Sequence, residues 1–390
     1  MLNNLFRYAS LLFAAAMLLS CSGANDNGGS VDSKQLVITA DRQFVQTFGD
    51  DYVSLTVSLG DEVLVDGVTF FDEKNNVIDI QDFKFRTQTP GEYNIRAGYL
   101  TYFTKEPVTI TALAVEIPEA PEDPAPSSTD FETRVLVMQF TTTGCVACPP
   151  MKTTLKNVMT TYSDKVVKVD CHNGTVGGQD DPAYVYIPNY GSTSFPYVKF
   201  DYYAGGGNEM SEDKVKSNID AMLKYKAGQS SGIAVSSELK DGQIVAKVVV
   251  KAAVDGDYNV GMMLLEDNIV ADDDQKQLGN GAQEWMNTHN SCIRYLSAGP
   301  KYNGFSLGRI EAGETAEYVF VLNLQSIWNN GIIKADAANC TWSPSWVEDE
   351  LHLGVFVTTV GKDQRGYDML YVSNVIDCPV DGVTPFKYNE

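Results

Sequence analysis

The spacing of apolar and polar positions divides the chain into three stretches. In residues 35–114, Val53, Leu55, Val57 and Leu59 alternate with polar neighbours, the period of a strand with one buried face. Pro107-Val108-Thr109-Ile110-Thr111-Ala112-Leu113 closes this stretch, and turn residues break it at Lys74-Asn75-Asn76 and Thr89-Pro90-Gly91. A small β-sandwich is expected. In residues 131–228 the pattern changes. Thr133 to Phe140 is mostly apolar, as in a strand covered on both faces. Helical spacing follows from Pro149 to about Tyr162, then a strand at Lys165–Asp170. Asp181 to Tyr190 is expected to be helical or irregular, Thr193 to Phe200 a strand led by a proline, and Asp213 to Tyr225 a closing helix with Val215, Ile219, Met222 and Leu223 on one face. In residues 232–390 alternation returns at Ile244–Val250, Gly261–Leu265, Ala316–Leu322, Leu353–Val360 and Met369–Val375, with turns at Asp241-Gly242 and Asp255-Gly256. The predicted fold class is multidomain: an N-terminal β-sandwich, a central α/β domain and a C-terminal β-sandwich.

Two connecting stretches complete the organisation. Residues 115–130, V-E-I-P-E-A-P-E-D-P-A-P-S-S-T-D, hold four prolines and several acids, which predicts an extended, semi-rigid linker. At the other end, Arg7 precedes a short apolar run from Leu11 to Leu19, then Ser20-Cys21-Ser22-Gly23. A run this short marks secretion rather than a membrane span. Leu18-Leu19-Ser20-Cys21 resembles a bacterial lipobox, in which Cys21 becomes the lipidated first residue. Residues 1–20 then form a lipoprotein signal peptide, and 21–34, rich in Ser, Gly, Asn and Asp, a flexible tether. Several acyl chains anchor stably where one is marginal. The expected location is the cell envelope, at the outer membrane. With only Asp26 and Asp32 acidic in the tether, the periplasmic and surface faces both stay open.

Charge removes some functions. The 390 residues carry a formal net charge of -22, from 51 acidic and 29 basic side chains. Nucleic-acid binders concentrate Lys and Arg, so nucleic acid is not an expected partner. Electrostatic docking on anionic lipid is disfavoured for the same reason.

The chemistry centres on Thr143 to Pro150, T-G-C-V-A-C-P-P, between a predicted strand and a predicted helix. The first turn of a helix leaves N–H groups unpaired and carries partial positive charge, which favours a thiolate there. Cys148 is close enough in sequence to close a disulfide with Cys145, and Pro149 and Pro150 suit the first helical turn. Zinc binding by Cys145 and Cys148 is a weaker reading, because no second Cys-x-x-Cys or His-x-x-x-His accompanies them. Cys171, Cys292, Cys340 and Cys378 allow three pairings, among which the sequence does not choose. Phe195-Pro196 precedes a strand downstream of the Cys-x-x-Cys, an order that resembles thioredoxin; that resemblance implies a cis bond here, where position alone would suit an ordinary trans proline at a strand start. Together Cys145, Cys148 and Pro196 are expected to form one exposed centre.

The order of these features resembles thioredoxin. More specifically, the middle stretch resembles the Bacteroidetes lipoprotein family related to the 28-kilodalton outer-membrane protein. The matching residues are Phe140-Thr141, Gly144-Cys145, Cys148-Pro149, Val167-Lys168-Val169-Asp170-Cys171-His172-Asn173-Gly174 and Phe195-Pro196. The resemblance continues at Leu264-Leu265-Glu266-Asp267-Asn268-Ile269-Val270 and His289-Asn290-Ser291-Cys292-Ile293-Arg294, and misses the N-terminal sandwich. It implies a thioredoxin-like domain at 131–228, with Cys145 attacking, Cys148 resolving and Pro196 shaping the substrate site. Gly144 stands where thioredoxin usually has Trp, and Val146-Ala147 where it has Gly-Pro, so neither reductant nor oxidant is indicated. Phe195, in place of a smaller residue, is placed to cover the disulfide.

The remaining motifs are weaker. Thr89 to Ala97 resembles the Gly-x-Tyr strand of bacterial immunoglobulin-like domains, with Tyr93 as a corner residue bonding back to the chain. Glu266-Asp267 and Asp272-Asp273-Asp274 offer calcium-type oxygens without EF-hand spacing, and read better as a solvated acidic loop. His289 and Arg294 are read as packed residues or partner contacts, and Trp328, Trp342 and Trp346 as a groove lining or a core plug. Two functions follow. One is thiol-disulfide exchange on envelope proteins, an oxidoreductase with no haem, nucleotide or metal implied. The other is a non-enzymatic binding or adhesion lipoprotein in which Cys145–Cys148 is a structural disulfide.

Overall fold

The computed structural model describes residues 34–172, 181–185, 194–207, 210–299, 301–328, 346–363 and 365–389. The signal peptide, Cys21, most of the tether, Asn173, Gly174, Cys340 and Trp342 lie outside the described residues.

Alternation along the first stretch becomes two facing sheets. Strands β1 (Leu36–Ala40), β3 (Val53–Leu59) and β4 (Glu62–Leu64) form one, with β7 (Lys84–Phe85) paired to β3. The other has the order β2 (Phe44–Gln46), β10 (Val108–Leu113), β8 (Gly91–Tyr99), β5 (Val68–Phe71), β6 (Val77–Ile78), with β9 (Tyr102–Phe103) on β8. Val53, Leu55 and Val57 point inward against Phe70, Ile95 and Ile110. The Tyr93 hydroxyl donates to the Thr89 carbonyl at 2.9 Å, bonding back to its own chain.

The second stretch supplies β11 (Val135–Phe140), α1 (Pro149–Tyr162), β12 (Val166–Cys171), β13 (Tyr197–Phe200), β14 (Ala204–Gly206) and α2 (Glu212–Lys226). β11 runs parallel to β12 and antiparallel to β13, and all six of its residues are buried. α1 lays Met151, Leu155 and Val158, one helical stripe, onto Val135 and Val137. α2 begins at Ser211, whose side chain accepts the Lys214 N–H, with Glu212 and Asp213 in its first turn and Lys224 and Lys226 in its last. These charges complement the helix dipole.

The third stretch adds β15 (Gly232–Lys240), β16 (Gln243–Lys251), β17 (Gly256–Glu266), β18 (Ile269–Val270), β19 (Thr288–His289), β20 (Cys292–Ser297), β21 (Phe305–Ile310), β22 (Thr315–Asn323), the short α3 (Leu324–Ile327), β23 (Leu351–Lys362), β24 (Asp368–Pro379) and β25 (Gly382–Thr384). β15 and β16 meet at Asp241-Gly242, both with positive φ, 51° and 73°, as a tight hairpin requires. The sheet β22-β16-β15-β25 packs its apolar face on β17 and β23 around Ile244, Val248, Leu264 and Val355.

Periodicity separates the middle and last stretches, but one nine-stranded sheet runs through both: β14-β13-β11-β12-β20-β17-β23-β24, with β21 on β17. The join is at Asp170 opposite Cys292, and the Asp170 N–H donates to the Ser291 carbonyl at 2.9 Å. The physical reason is the open edge of β12, whose unpaired backbone groups β20 covers. The fold is thus mostly β-sheet, and besides α1 and α2 no α-helix among the described residues exceeds four residues. None of the described helices is long and apolar enough to cross a membrane. The N-terminal sheets dock through Gln243, whose side chain accepts from Ala114 N at 2.8 Å and donates to Ala112 O at 2.9 Å.

Candidate functional site

Strand β11 ends at Phe140 and α1 starts at Pro149, so the intervening turn must reverse within eight residues. Backbone bonds shape it: Cys145 N to Thr142 O at 3.2 Å, Cys148 N to Cys145 O at 3.1 Å, and Lys152 N to Cys148 O at 3.0 Å. Cys148 is the residue before the helix, and prolines fill its first two positions. Cys145 and Cys148 form a disulfide, with Cα atoms 5.4 Å apart. The Phe195–Pro196 peptide bond is cis. Tyr197 is paired with Phe140, so Pro196 stands at the end of β11 where the Cys145–Cys148 turn departs. Phe195 is half-buried against the core that holds Phe140 and Cys171.

The centre is not exposed as the sequence suggests. Cys145 is 4% exposed and Cys148 0%, whereas Val146 between them is 64% exposed. The reason lies far along the chain, in residues 275–281. Leu278 N donates to Thr143 O at 2.8 Å, and Gln277 Nε2 donates to Thr143 O at 3.1 Å and Cys145 O at 3.0 Å. Gly279 follows with φ +107°, and a Cβ there would lie 2.2 Å from the Val146 carbonyl oxygen. Glycine is therefore required for this strap to cross the turn.

Beneath the turn lies a buried polar cluster. Asp181 accepts the Thr143 N–H at 2.9 Å and the Ala183 N–H at 3.0 Å, and its carboxylate meets His172 Nδ1 at 2.8 Å. Burial disfavours the Asp181 charge, but the adjoining His172 and the N–H of Thr143 outweigh it and hold the carboxyl well below its ordinary range. His289 sits edge-on to His172, ring centroids 4.8 Å apart. Burial, then the neighbouring His172 and Lys152, keep His289 neutral, its pKa far below the usual value. Gln139 Nε2, Thr141 Oγ1, Thr142 Oγ1, His172 Nε2, Gln277 Oε1 and His289 Nε2 are buried without a hydrogen-bond partner among the described residues.

Other sequence-predicted residues take structural places. Cys171, Cys292 and Cys378 are buried free thiols, and burial is the main cause that raises each pKa above that of an exposed thiol. Arg294 Nε meets Glu266 at 2.9 Å inside the sheet, and Asp267 lies 3.4 Å from His352 Nε2. Both acids are thus committed to cations, and among the described residues no cluster of three or more ligating side chains could hold a metal. Trp328 and Trp346 meet edge to face at 5.4 Å, with Trp346 Nε1 donating to Leu324 O. Sequence reading missed Asp181, Gln277 and Lys152. The first two act through backbone contacts made by irregular segments, which carry no periodic signal. Lys152 was legible as a lysine adjoining Met151 on the apolar side of α1.

No protein-family model matches the chain, and no curated protein matches it. Among solved structures it is similar to HBP35 of Porphyromonas gingivalis, with TM-score 0.45 and 12% identity over 64% of this chain and 76% of that one. A protein of Agrobacterium tumefaciens is similar with TM-score 0.37 and 12% identity, over 65% of this chain and 97% of that one. Likeness at this level assigns no activity.

Proposed function

We propose that the chain is a cell-envelope lipoprotein whose thioredoxin-like middle unit exchanges thiols and disulfides with envelope proteins. The observation that carries this reading is the Cys145–Cys148 disulfide at a strand-to-helix turn, with Pro196 in the adjoining strand register. In this reading a partner thiolate attacks Cys145, its sulfur bonds to that of Cys145, and the electron pair of the broken bond leaves on Cys148 as thiolate. A second thiolate of the partner then attacks the partner's own sulfur in the mixed disulfide, closing the partner's disulfide and releasing Cys145 as thiolate. In the opposite direction the reduced Cys145 thiolate attacks an oxidised partner, and Cys148 resolves the mixed disulfide, re-forming Cys145–Cys148 and leaving the partner as a dithiol. The helix start favours the thiolate form. The lipobox-like Leu18-Leu19-Ser20-Cys21 supplies the anchor, and the family related to the 28-kilodalton outer-membrane protein remains the proposed kinship, with an immunoglobulin-like sandwich in front.

One observation favours a second reading. The strap through Gln277 and Gly279 leaves Cys145 only 4% exposed, which suits a sealed structural disulfide in a binding lipoprotein. The two readings part on the reduction potential of the pair, combined with trapping by Cys148→Ser. A potential above about -300 mV with envelope proteins captured on Cys145 supports exchange, and a lower potential with none captured supports the structural disulfide. Anchoring is checked separately: Cys21→Ser shifts the protein from membrane to soluble fractions, and unchanged partition removes the anchor.

A further inference from the structure

A cleft of about 490 Å³ lies between α1, β12 and the segment around β19. Three lysines line it: Lys152 and Lys156 from α1, and Lys168 from β12. In a chain of net charge -22 such convergence calls for a reason. Among the described residues one carboxylate lines the same cleft, Asp170, and it is taken by Lys168 at 2.6 Å. Asp181, the next acid within electrostatic reach of Lys152, is held by His172. Lys152 is 7% exposed and has no ion-pair partner among the described residues. An ammonium taken out of water without a counter-ion costs several kcal/mol, so proteins rarely leave one so. Burial accordingly draws the Lys152 pKa below its ordinary value.

Two further groups make this a built site. Gln139 and His289 line the cleft, 1% and 3% exposed, and their Nε2 atoms have no hydrogen-bond partner among the described residues. Gln139 Nε2 is an amide donor, and a neutral imidazole can present an N–H there. Met159, Met286 and Trp285 add apolar lining, with Lys156 lying 4.0 Å over the Trp285 ring. Polar donors and carbon surface thus line the same cleft.

We propose that this cleft binds a small organic anion, its carboxylate or phosphate head against Lys152, Gln139 and His289 and its apolar body on Met159 and Met286. The proposal is independent of disulfide exchange, since none of these groups is a cysteine. The anion supplies the counter-charge that Lys152 lacks.

Calorimetric titration of the intact protein with benzoate, phenyl phosphate and inorganic phosphate tests it. One saturable site is expected for benzoate or phenyl phosphate, and whichever binds tighter identifies the head group. Inorganic phosphate should bind at least tenfold more weakly than phenyl phosphate; equal affinity would remove the apolar body from the proposal. Lys152→Met should weaken binding at least tenfold and Lys156→Gln by about threefold, while Lys214→Gln, on the far helix α2, leaves it unchanged. Since Lys152→Met removes a buried charge, its melting temperature is measured alongside. A variant that melts like the parent and binds equally well overturns the proposal, as does failure of both organic probes to bind at about 10 mM.

Discussion

Gln277 donates its side-chain amide to the carbonyl of Cys145 at 3.0 Å, tying a residue of the last third of the chain to the disulfide turn. The same amide reaches the carbonyls of Thr143 and Leu278. A buried hydrogen bond contributes about 1 kcal/mol net, so releasing this amide loosens the strap by about 1–3 kcal/mol. Gln277→Ala should therefore speed reduction of Cys145–Cys148 by dithiothreitol by about tenfold. Gly279→Ala should do at least as much, because its new Cβ cannot share space with the Val146 carbonyl. Thiol release followed at several reductant concentrations reads both. A rate equal to the parent in both variants would show that the strap does not limit access.

Much of the site was legible and the strap was not, for a physical reason. α1 was bounded by two prolines at its start and a clear apolar stripe, and it runs from Pro149 to Tyr162. The Val53–Leu59 alternation is the buried face of β3. Such signals are local, since each residue's neighbours in sequence are its neighbours on the element. The exposure of Cys145 depends instead on Gln277, 132 positions away, through a backbone carbonyl that any residue would offer. Likewise Lys165–Asp170 read as a strand of the middle stretch with no partner in the last one, and Cys292–Ser297 was not read as a strand, because an edge carries no mark of what will pair with it; Asp170 opposite Cys292 makes the join.

His352 gives a pH-dependent contribution. Burial opposes its charge, but hydrogen bonding to Asp267 and Asp377 prevails and lifts its pKa from 6.5 to about 9. Its Nδ1 lies 2.7 Å from Asp377. Because the folded value is raised, the stabilisation is fully present below pH 6.5 and is lost as pH climbs to about 9. The whole effect is at most about 3–4 kcal/mol, since each tenfold gain in proton affinity is worth about 1.4 kcal/mol. Melting temperature should fall between these limits in the parent, and His352→Gln should flatten that part of the profile. A slope unchanged in the variant would assign it to other groups.

Lys226 and Asp201 form a fully buried ion pair at 2.8 Å, with Lys226 Nζ also donating to Arg134 O and Asp201 Oδ1 accepting Leu136 N–H. The pair fastens the end of α2 to β11. Removing one partner strands the other, which costs about 3–5 kcal/mol. Lys226→Met should lower stability by that amount in urea. Adding Asp201→Asn should restore most of it, since the amide oxygen still accepts from Leu136 and no buried charge is left. If the double variant is no more stable than Lys226→Met, the loss comes from packing at position 226.

Lys251 fixes the proline-rich stretch. Its Nζ donates to Asp123 at 2.9 Å and to the Pro126 carbonyl at 2.7 Å, while the Tyr388 hydroxyl donates to Asp123 at 2.7 Å. Prolines 118, 121, 124 and 126 predict an extended chain, and this clip holds that chain against β16 and the C-terminal residues. Lys251 is 1% exposed, and its loss leaves the half-buried Asp123 without its cation. Lys251→Met should detach the segment and open it to protease. Limited digestion should then cut within 119–128 at least tenfold faster than in the parent, since fast local opening is read by its free energy and about 1.4 kcal/mol gives tenfold. Tyr388→Phe, which removes one hydroxyl and keeps the ammonium, should raise cutting only about threefold. The order of the two variants is the test: equal rates would mean that packing of the ring on Phe131, not the Lys251–Asp123 pair, holds the segment down.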